Sequence, residues 1–393
     1  MSKKHVLIVI NSLSQGGAER VVSILLERYY HDNNFEVELL LLEDEIAYKI
    51  PSGVKVTILS KLNNEDSSIK KTLFIPFLAY KLAQYTKTHK PDLIVSFLYR
   101  ADFVNILASL SSKVPVIVSE RVNASSTYNN SSLNAKINKF LIKKLYPKAS
   151  MVINVSEGTK QDLVENFGIE DAKQIVIYNP YDSEKIRTLS RDVCDIEGDR
   201  EKTIVAVSRF RPIKNMQMIL EAFATLDNDT KLILVGDGSE EENLRVLCDA
   251  LNISTRVLFV GAQDNPYKYM SKASLYVSSS RSEGFPNALV EAMICGCSII
   301  STDCPSGPRE ILAPDSDFTQ RMTKGVEYAE FGALVSVDDT DALATALLKL
   351  LNDDEMRETY AKKSVMRAND FQLETIYKHY SDAFLSVIEG EKS

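Results

Sequence analysis

Histidine, cysteine and long apolar runs are all scarce in this chain of 393 residues, and each scarcity removes a class of function. The four histidines, His5, His31, His89 and His379, are scattered, and none falls at a strand end suited to acid–base chemistry. Of the five cysteines only Cys295 and Cys297 lie close, and C-x-C without a nearby histidine is poor zinc spacing. They read as small buried thiols in a reducing compartment. No complete G-x-G-x-x-G fingerprint occurs, so a dinucleotide cofactor is not supported. The apolar stretch HVLIVI is too short for a signal-peptide core and runs straight into a glycine turn. Leu73 to Tyr80 is broken by Pro76 and falls far short of the ~20 residues a membrane span needs. The expected location is therefore cytoplasmic, with peripheral contact at the cytoplasmic face of the inner membrane left open. Asn123-Ala-Ser125 then carries no glycan, because that reading requires secretion. Positive charge is lacking overall, the net being −8. Residues 1–185 hold 23 Lys+Arg against 20 Asp+Glu, and the remainder 23 against 34. So acidic a second half argues against nucleic acid, while the first leaves room for an anionic surface partner.

What the chain does contain is a repeated strand–turn–helix rhythm. His5–Ile10 is a β-branched run of the kind buried on both faces of a parallel sheet. Further strands are expected at Val37–Leu42, Val54–Leu59, Leu93–Leu98, Val114–Ser119, Met151–Val155 and Ile175–Tyr178, with helical stretches around 70–88, 102–111, 133–146 and 157–167. The pattern pauses at Asn179–Pro180, and residues 181–201 read as a polar connection. It restarts with strands at Thr203–Val207, Leu232–Val235, Val257–Val260, Leu275–Val277 and Ser298–Ser301. Two α/β domains follow, at 1–182 and 200–370, each a doubly wound parallel sheet. A last apolar-periodic helix, within 371–393, lacks an evident partner sheet. No short repeat, heptad run or low-complexity tract appears.

Ligands of open α/β sheets bind beyond the carboxyl ends of the strands, and the candidate motifs sit there. Ser208-Arg209-Phe210-Arg211-Pro212-Ile213-Lys214-Asn215 places three cations after a strand, and Asn215 can cap the helix that starts at Met216. That combination suits a diphosphate, although a solvated loop with a good cap would look the same. After Leu275–Val277, small polar residues lead to Glu283, then to a helix start at Pro286–Asn287 with Glu291 one turn in. The amides of Asn287, Ala288 and Leu289 would face a second side of the same anion. Glu283 and Glu291 can accept hydroxyl hydrogen bonds, one near a ribose and one near a hexose. A first-turn glutamate placed for the helix dipole would by itself explain Glu291. Gly16-Gly17 follows the first strand and Gly236-Asp237-Gly238 another, each permitting close backbone approach to a ligand.

SRFRPIKN, VGDGSEEENL, EGFPNALVEAM with its E-x7-E spacing, TDCPSGPREIL and the N-terminal GGAER together resemble family 4 of the retaining glycosyltransferases. The resemblance spans nearly the whole chain. It implies the GT-B fold, two Rossmann-like β/α/β domains facing each other across a cleft, with the C-terminal helix crossing back to the N-terminal domain. By resemblance, Arg209 and Lys214 hold the donor diphosphate, Glu291 the ribose hydroxyls and Glu283 the donor sugar. Phe285, Pro286, Asn287, Ala288 and Leu289 bring backbone close to sugar and phosphate, Gly16, Gly17 and Gly236 help hold the donor, and the base rests near Val260–Ala262. Many relatives carry a reaction-centre histidine in the N-terminal domain. Here the corresponding strand ends in Glu120-Arg121-Val122-Asn123, which makes Arg100, Glu120 and Arg121 candidates for acceptor or donor contact; a salt-bridged strand end is the plainer reading.

The resemblance also implies same-face displacement, in which the departing phosphate oxygen takes the acceptor's proton and no protein base is needed. No cofactor and no metal are expected; the D-x-D pairs Asp315/Asp317 and Asp339/Asp341 fit helix capping better than metal ligation. The expected partners are a nucleotide sugar, UDP-linked as the commonest family donor, and a lipid-linked glycan acceptor. The basic, aromatic-bearing stretches 136–146 and 68–82 suit anionic lipid head groups, or else are ordinary helices with a solvated lysine face. A nucleotide-sugar epimerase of the same architecture and a non-catalytic sugar-binding module are the competing readings.

Overall fold

The computed structural model describes residues 3–14, 16–63, 65–194, 196 and 198–390. They form two compact units, Met1–Pro180 with Glu374–Ser393, and Tyr181–Leu373. The first unit is built on seven parallel strands: β1 (Lys4–Ile10), β2 (Phe35–Leu41), β3 (Lys55–Ile58), β4 (Leu93–Phe97), β5 (Val116–Glu120), β6 (Met151–Asn154) and β7 (Gln174–Val176). Val6 to Ile10 are almost fully buried, as a β-branched strand covered by helices on both faces must be. The spatial order is β3-β2-β1-β4-β5-β6-β7. Succession thus runs outward from β1, then jumps back across it to β4. Between those two strands the connections diverge, opening a crevice at their carboxyl ends.

The helix Leu373–Gly390 supplies the partner that the sequence left open. Its Phe384 ring stacks on Tyr29 at 5.6 Å, Arg28 pairs with Glu374 at 2.8 Å, and the Tyr377 hydroxyl donates to Asp32 at 2.5 Å. All of these belong to the first unit. The last three residues of the expected 371–393 segment lie outside the described residues.

The second unit repeats the design with β8 (Thr203–Val207), β9 (Lys231–Val235), β10 (Val257–Phe259), β11 (Leu275–Ser278), β12 (Ser298–Thr302), β13 (Val326–Tyr328) and β14 (Ala333–Val335). Their order is β10-β9-β8-β11-β12-β14-β13, and only the β13–β14 pair is antiparallel. The crevice falls between β8 and β11.

Several local expectations need correction. The stretch 70–88 is two helices, Ser68–Leu73 and Ile75–His89, because Pro76 suits a first helical turn but not an interior. The connection 181–201 is not irregular throughout. Asp182 accepts from the Lys185 amide and caps a helix over Ser183–Leu189, and a 3-10 turn covers Arg200–Lys202; Asp195 and Glu197 of this stretch lie outside the described residues. The edge pair β13–β14 has no counterpart in the sequence reading.

Candidate functional site

The two loops that flank the crevice of the second unit are the two that the sequence singled out. One leaves β8 as 208–215 and the other leaves β11 as 279–286. They are joined: the Lys214 ammonium lies 2.6 Å from Glu283 Oε1, and the Ser280 hydroxyl donates to the same oxygen at 2.6 Å. The Ser279 hydroxyl stands 2.9 and 2.8 Å from the Lys214 and Asn215 carbonyls, and the Arg281 amide donates to the Ile213 carbonyl at 2.8 Å. Arg281 completes the seam, donating to the Pro212 carbonyl, Asp338 and the Asn215 side-chain oxygen. A lysine fixed by one carboxylate while part of its side chain stays in water is a cation already aimed, at little further entropic cost.

Arg209 is exposed beside this seam. The turn after β9 supports its backbone. A Cβ at Gly236 would stand 1.8 Å from the Ser208 carbonyl oxygen and one at Gly238 2.4 Å from that of Phe210, and both residues have positive φ. Only glycine fits either place. The Gly236 amide also donates to the Gly261 carbonyl at 2.9 Å, which links this turn to the 260–262 loop.

Asn215 does not cap the following helix. It adopts φ 49°, and its side-chain amide donates to Asp338 at 2.9 Å. The helix Asn287–Ile294 begins where expected, with Phe285 and Pro286 buried and Asn287 and Ala288 partly open. The Leu289 amide already donates to the Pro286 carbonyl at 3.1 Å, so it is not one of the groups offered to an anion. Asn287 Oδ1 accepts from the Tyr181 hydroxyl at 2.6 Å. Glu291 is only 2% exposed. Burial, and then the charges of Glu283 and Glu291, hold the Tyr276 phenol far above its usual range.

One member of each D-x-D pair is engaged locally. Asp317 accepts from Thr319 and Gln320, while Asp339 caps the helix Thr340–Asn352 and accepts from the Gly325 amide. Among the described residues no three His, Cys, Asp or Glu side chains stand together as a metal site.

At the crevice of the first unit, Gly16 precedes the helix Gly17–Tyr30, and Asn11 Oδ1 accepts from the Ala101 amide at 3.1 Å. Arg100 and Lys71 both pair with buried Glu43, the latter at 3.1 Å. Leu98, at the turn between β4 and the helix Tyr99–Ser112, has φ 74°. A bulky residue there is strained, a feature that clusters at functional turns and that no sequence signal announced.

Glu120 and Arg121 are both turned inward. Glu120, the last residue of β5, accepts from the Arg121 and Val122 amides at 3.0 and 3.2 Å. Burial pushes its carboxyl up to about 7. The Arg121 guanidinium donates to Ser119, to Asn179 and to the Tyr380 hydroxyl of the C-terminal helix. Sequence reasoning missed Asp102 and Tyr146, which meet Glu120 in the interior, and the serine–arginine seam at 279–281, although the run of small polar residues before Glu283 was its visible signal.

Known proteins resemble this chain in both sequence and fold. The profile described as glycosyl transferases group 1 matches residues 195–365, and that described as glycosyltransferase family 4 matches residues 15–185. The N-acetylgalactosamine-N,N'-diacetylbacillosaminyl-diphospho-undecaprenol 4-alpha-N-acetylgalactosaminyltransferase of Campylobacter jejuni is 35% identical over 93% of this chain and 94% of its own length. The Escherichia coli lipopolysaccharide 1,6-galactosyltransferase is 32% identical over 41% of this chain and 45% of its own. Among solved structures, Anabaena HepE in complex with UDP-glucose superposes with TM-score 0.76 at 22% identity, covering 97% of this chain and 99% of that one. Sucrose-phosphate synthase from Thermosynechococcus elongatus reaches TM-score 0.80 at 19% identity over 99% and 100%. These structures show the fold. The two profiles and the 35%-identical relative show the family: the chain belongs to family 4 of the glycosyltransferases and is a sugar-transferring enzyme.

Proposed function

We propose that this enzyme moves a hexose or N-acetylhexosamine from a UDP-sugar to a lipid-linked glycan with retention of anomeric configuration. The carrying observation is the 2.6 Å contact between Lys214 and Glu283, which joins the two loops flanking the crevice of the second unit. The second unit binds the donor and the first the acceptor. As the sugar–phosphate bond breaks, negative charge gathers on the leaving diphosphate, and Lys214 and Arg209 stabilise it there. Glu283 accepts from sugar hydroxyls and Glu291 from the ribose. The acceptor attacks from the face the diphosphate leaves, and a phosphate oxygen takes its proton. The two cations supply the charge compensation for departure, so a chelator leaves turnover intact. Two relatives support the substrate classes: a Campylobacter enzyme named for a diphospho-undecaprenol acceptor and a HepE structure holding UDP-glucose.

No helix among the described residues is long and apolar enough to cross a membrane. The first unit nonetheless exposes Ile69 (69%), Leu73 (74%), Phe77 (48%) and Tyr80 (63%) along two successive helices, with Lys70 among them. The helix Leu133–Leu145 adds exposed Leu133, Phe140, Lys136 and Lys143. Apolar side chains interleaved with lysines favour a peripheral seat on anionic lipid, where a lipid-linked acceptor resides. UDP release is the test, measured with a panel of UDP-sugars and a polyprenyl-diphosphate glycan presented in vesicles. Release that needs both substrates, survives EDTA and rises with anionic lipid is expected. Release that ignores the acceptor, or isomerised free donor, overturns the transferase reading.

A further inference from the structure

Three acidic groups meet in the interior of the first unit behind the carboxyl end of β5. The Tyr146 hydroxyl stands 3.1 Å from Asp102 Oδ2 and 3.3 Å from Glu120 Oε2. Asp102 and Glu120 are 1% and 2% exposed, and Tyr146 is fully buried. A phenol carries one proton and can donate to one of these oxygens only. The other contact is satisfied only if that carboxyl itself bears a proton and donates to the phenol oxygen. Two ionised carboxylates around one hydroxyl would leave two acceptors facing each other in a medium that penalises it severely.

The surroundings supply hydrogen bonds, from Ser96 and the Ser119 backbone to Asp102 and from Tyr99 to Glu120, but no positive charge among the described residues. Tyr99 lies on the same helix as Asp102; Tyr128 follows the short helix Ala124–Thr127; and Asp162, on the helix Glu157–Phe167, adds a further negative charge toward Glu120. Among the described residues no lysine, arginine or histidine pairs with Asp102, Glu120 or Asp162. Arg121, adjacent in sequence, directs its guanidinium to Ser119, Asn179 and Tyr380. Hydrogen bonds do not confine the proton to one side: Glu120 Oε1 accepts two backbone amides, while Asp102 receives hydrogen bonds from Ser96 and the Ser119 backbone, so the two carboxyls share it across the phenol.

We propose that Asp102, Tyr146 and Glu120 share one extra proton, and that its presence holds the Glu120–Asn123 turn in place, making Glu120 a positioning residue for sugar transfer. With the proton, the line Asp102–Tyr146–Glu120 is satisfied and Glu120 is fixed as acceptor for the Arg121 and Val122 amides. Without it, like charges repel across the phenol and that turn loses its support. The sequence placed Glu120 in contact with substrate; this reading has it act through the backbone that follows it. It bears on the transferase reading through one readout and stands apart from it in the other.

Two profiles against pH test the inference, for the native enzyme, Glu120→Gln and Asp102→Asn. Burial lifts Glu120 to about 7 and Asp102 well above the usual carboxylate range. Folded-state pKa values raised in this way give stability that is full below about pH 4.3, the ordinary carboxyl value, and lost as pH rises through the folded values. Between pH 5 and 7 the native melting midpoint should therefore fall more steeply than that of either variant, by about 3–5 °C per pH unit for each proton removed. Native transfer should decline above about pH 7, a limb missing in Glu120→Gln, whose amide serves the Arg121 and Val122 N–H groups at every pH. Equal melting slopes in native and both variants, or an alkaline limb unchanged in Glu120→Gln, overturn the proposal. Melting needs no substrate, so a protein that transfers no sugar would remove the transferase reading and leave this test standing.

Discussion

Lys214 shows how one side chain carries the proposed donor assignment. Its ammonium is paired with Glu283, yet a quarter of the side chain remains accessible to an incoming phosphate. Replacing it leaves Glu283 with the Ser280 hydroxyl and disturbs no core residue. Lys214→Ala and Arg209→Ala should each therefore lower turnover by ~10²–10³, the typical loss of one group stabilising a developing negative charge, with the melting midpoint little changed. Single-turnover rates at saturating donor check this, and near-native rates in both variants would contradict it. At this scale much was legible. SRFRPIKN and EGFPN announce a strand end, cations and a helix start in fixed order. Residue conformation was not, because it depends on contacts far along the chain. Asn215 has the chemistry of a cap, yet Asp338 and Arg281 hold it in a left-handed turn instead. Leu98 gives no hint in sequence of its positive φ, since tertiary packing imposes it.

Among the elements, the C-terminal helix has the largest consequence for stability. Phe384 is 1% exposed and packs on Tyr29, Phe35 and Tyr380, so it ties the last helix to the first helix and second strand of the same unit. Phe384→Ala removes a buried ring and should cost about 3–5 kcal/mol, read as a lower urea midpoint with an unchanged denaturant slope. A shift within about 0.5 kcal/mol would mean the helix is not docked as described. Strong periodicity made this helix visible in sequence, and β-branched runs did the same for the central strands. Weak or short elements escaped notice. β13 is three residues, Val326–Tyr328, two half-buried and Tyr328 exposed, at a sheet edge, where neither alternation nor length distinguishes strand from loop. The helix Ser183–Leu189 is brief and polar, and its capping Asp182 was the one signal present.

Across the whole molecule, the same architectural rule operates twice. Each unit reverses its strand order at its centre, between β1 and β4 in the first and between β8 and β11 in the second, and each of these reversals brings together charged loops. Composition divides the labour: the first half is nearly balanced and bears the exposed apolar and lysine-bearing helices, while the acidic second half concentrates its useful cations at one crevice. The central claim is that the second unit's crevice receives the nucleotide diphosphate. Hydrogen–deuterium exchange with and without UDP tests it most directly, because local protection reports the bound segment without requiring the acceptor or the sugar. UDP should slow exchange in 208–215 and 279–291 of the native enzyme and fail to do so in Lys214→Ala. Protection confined to other segments, or undiminished in that variant, would contradict the account.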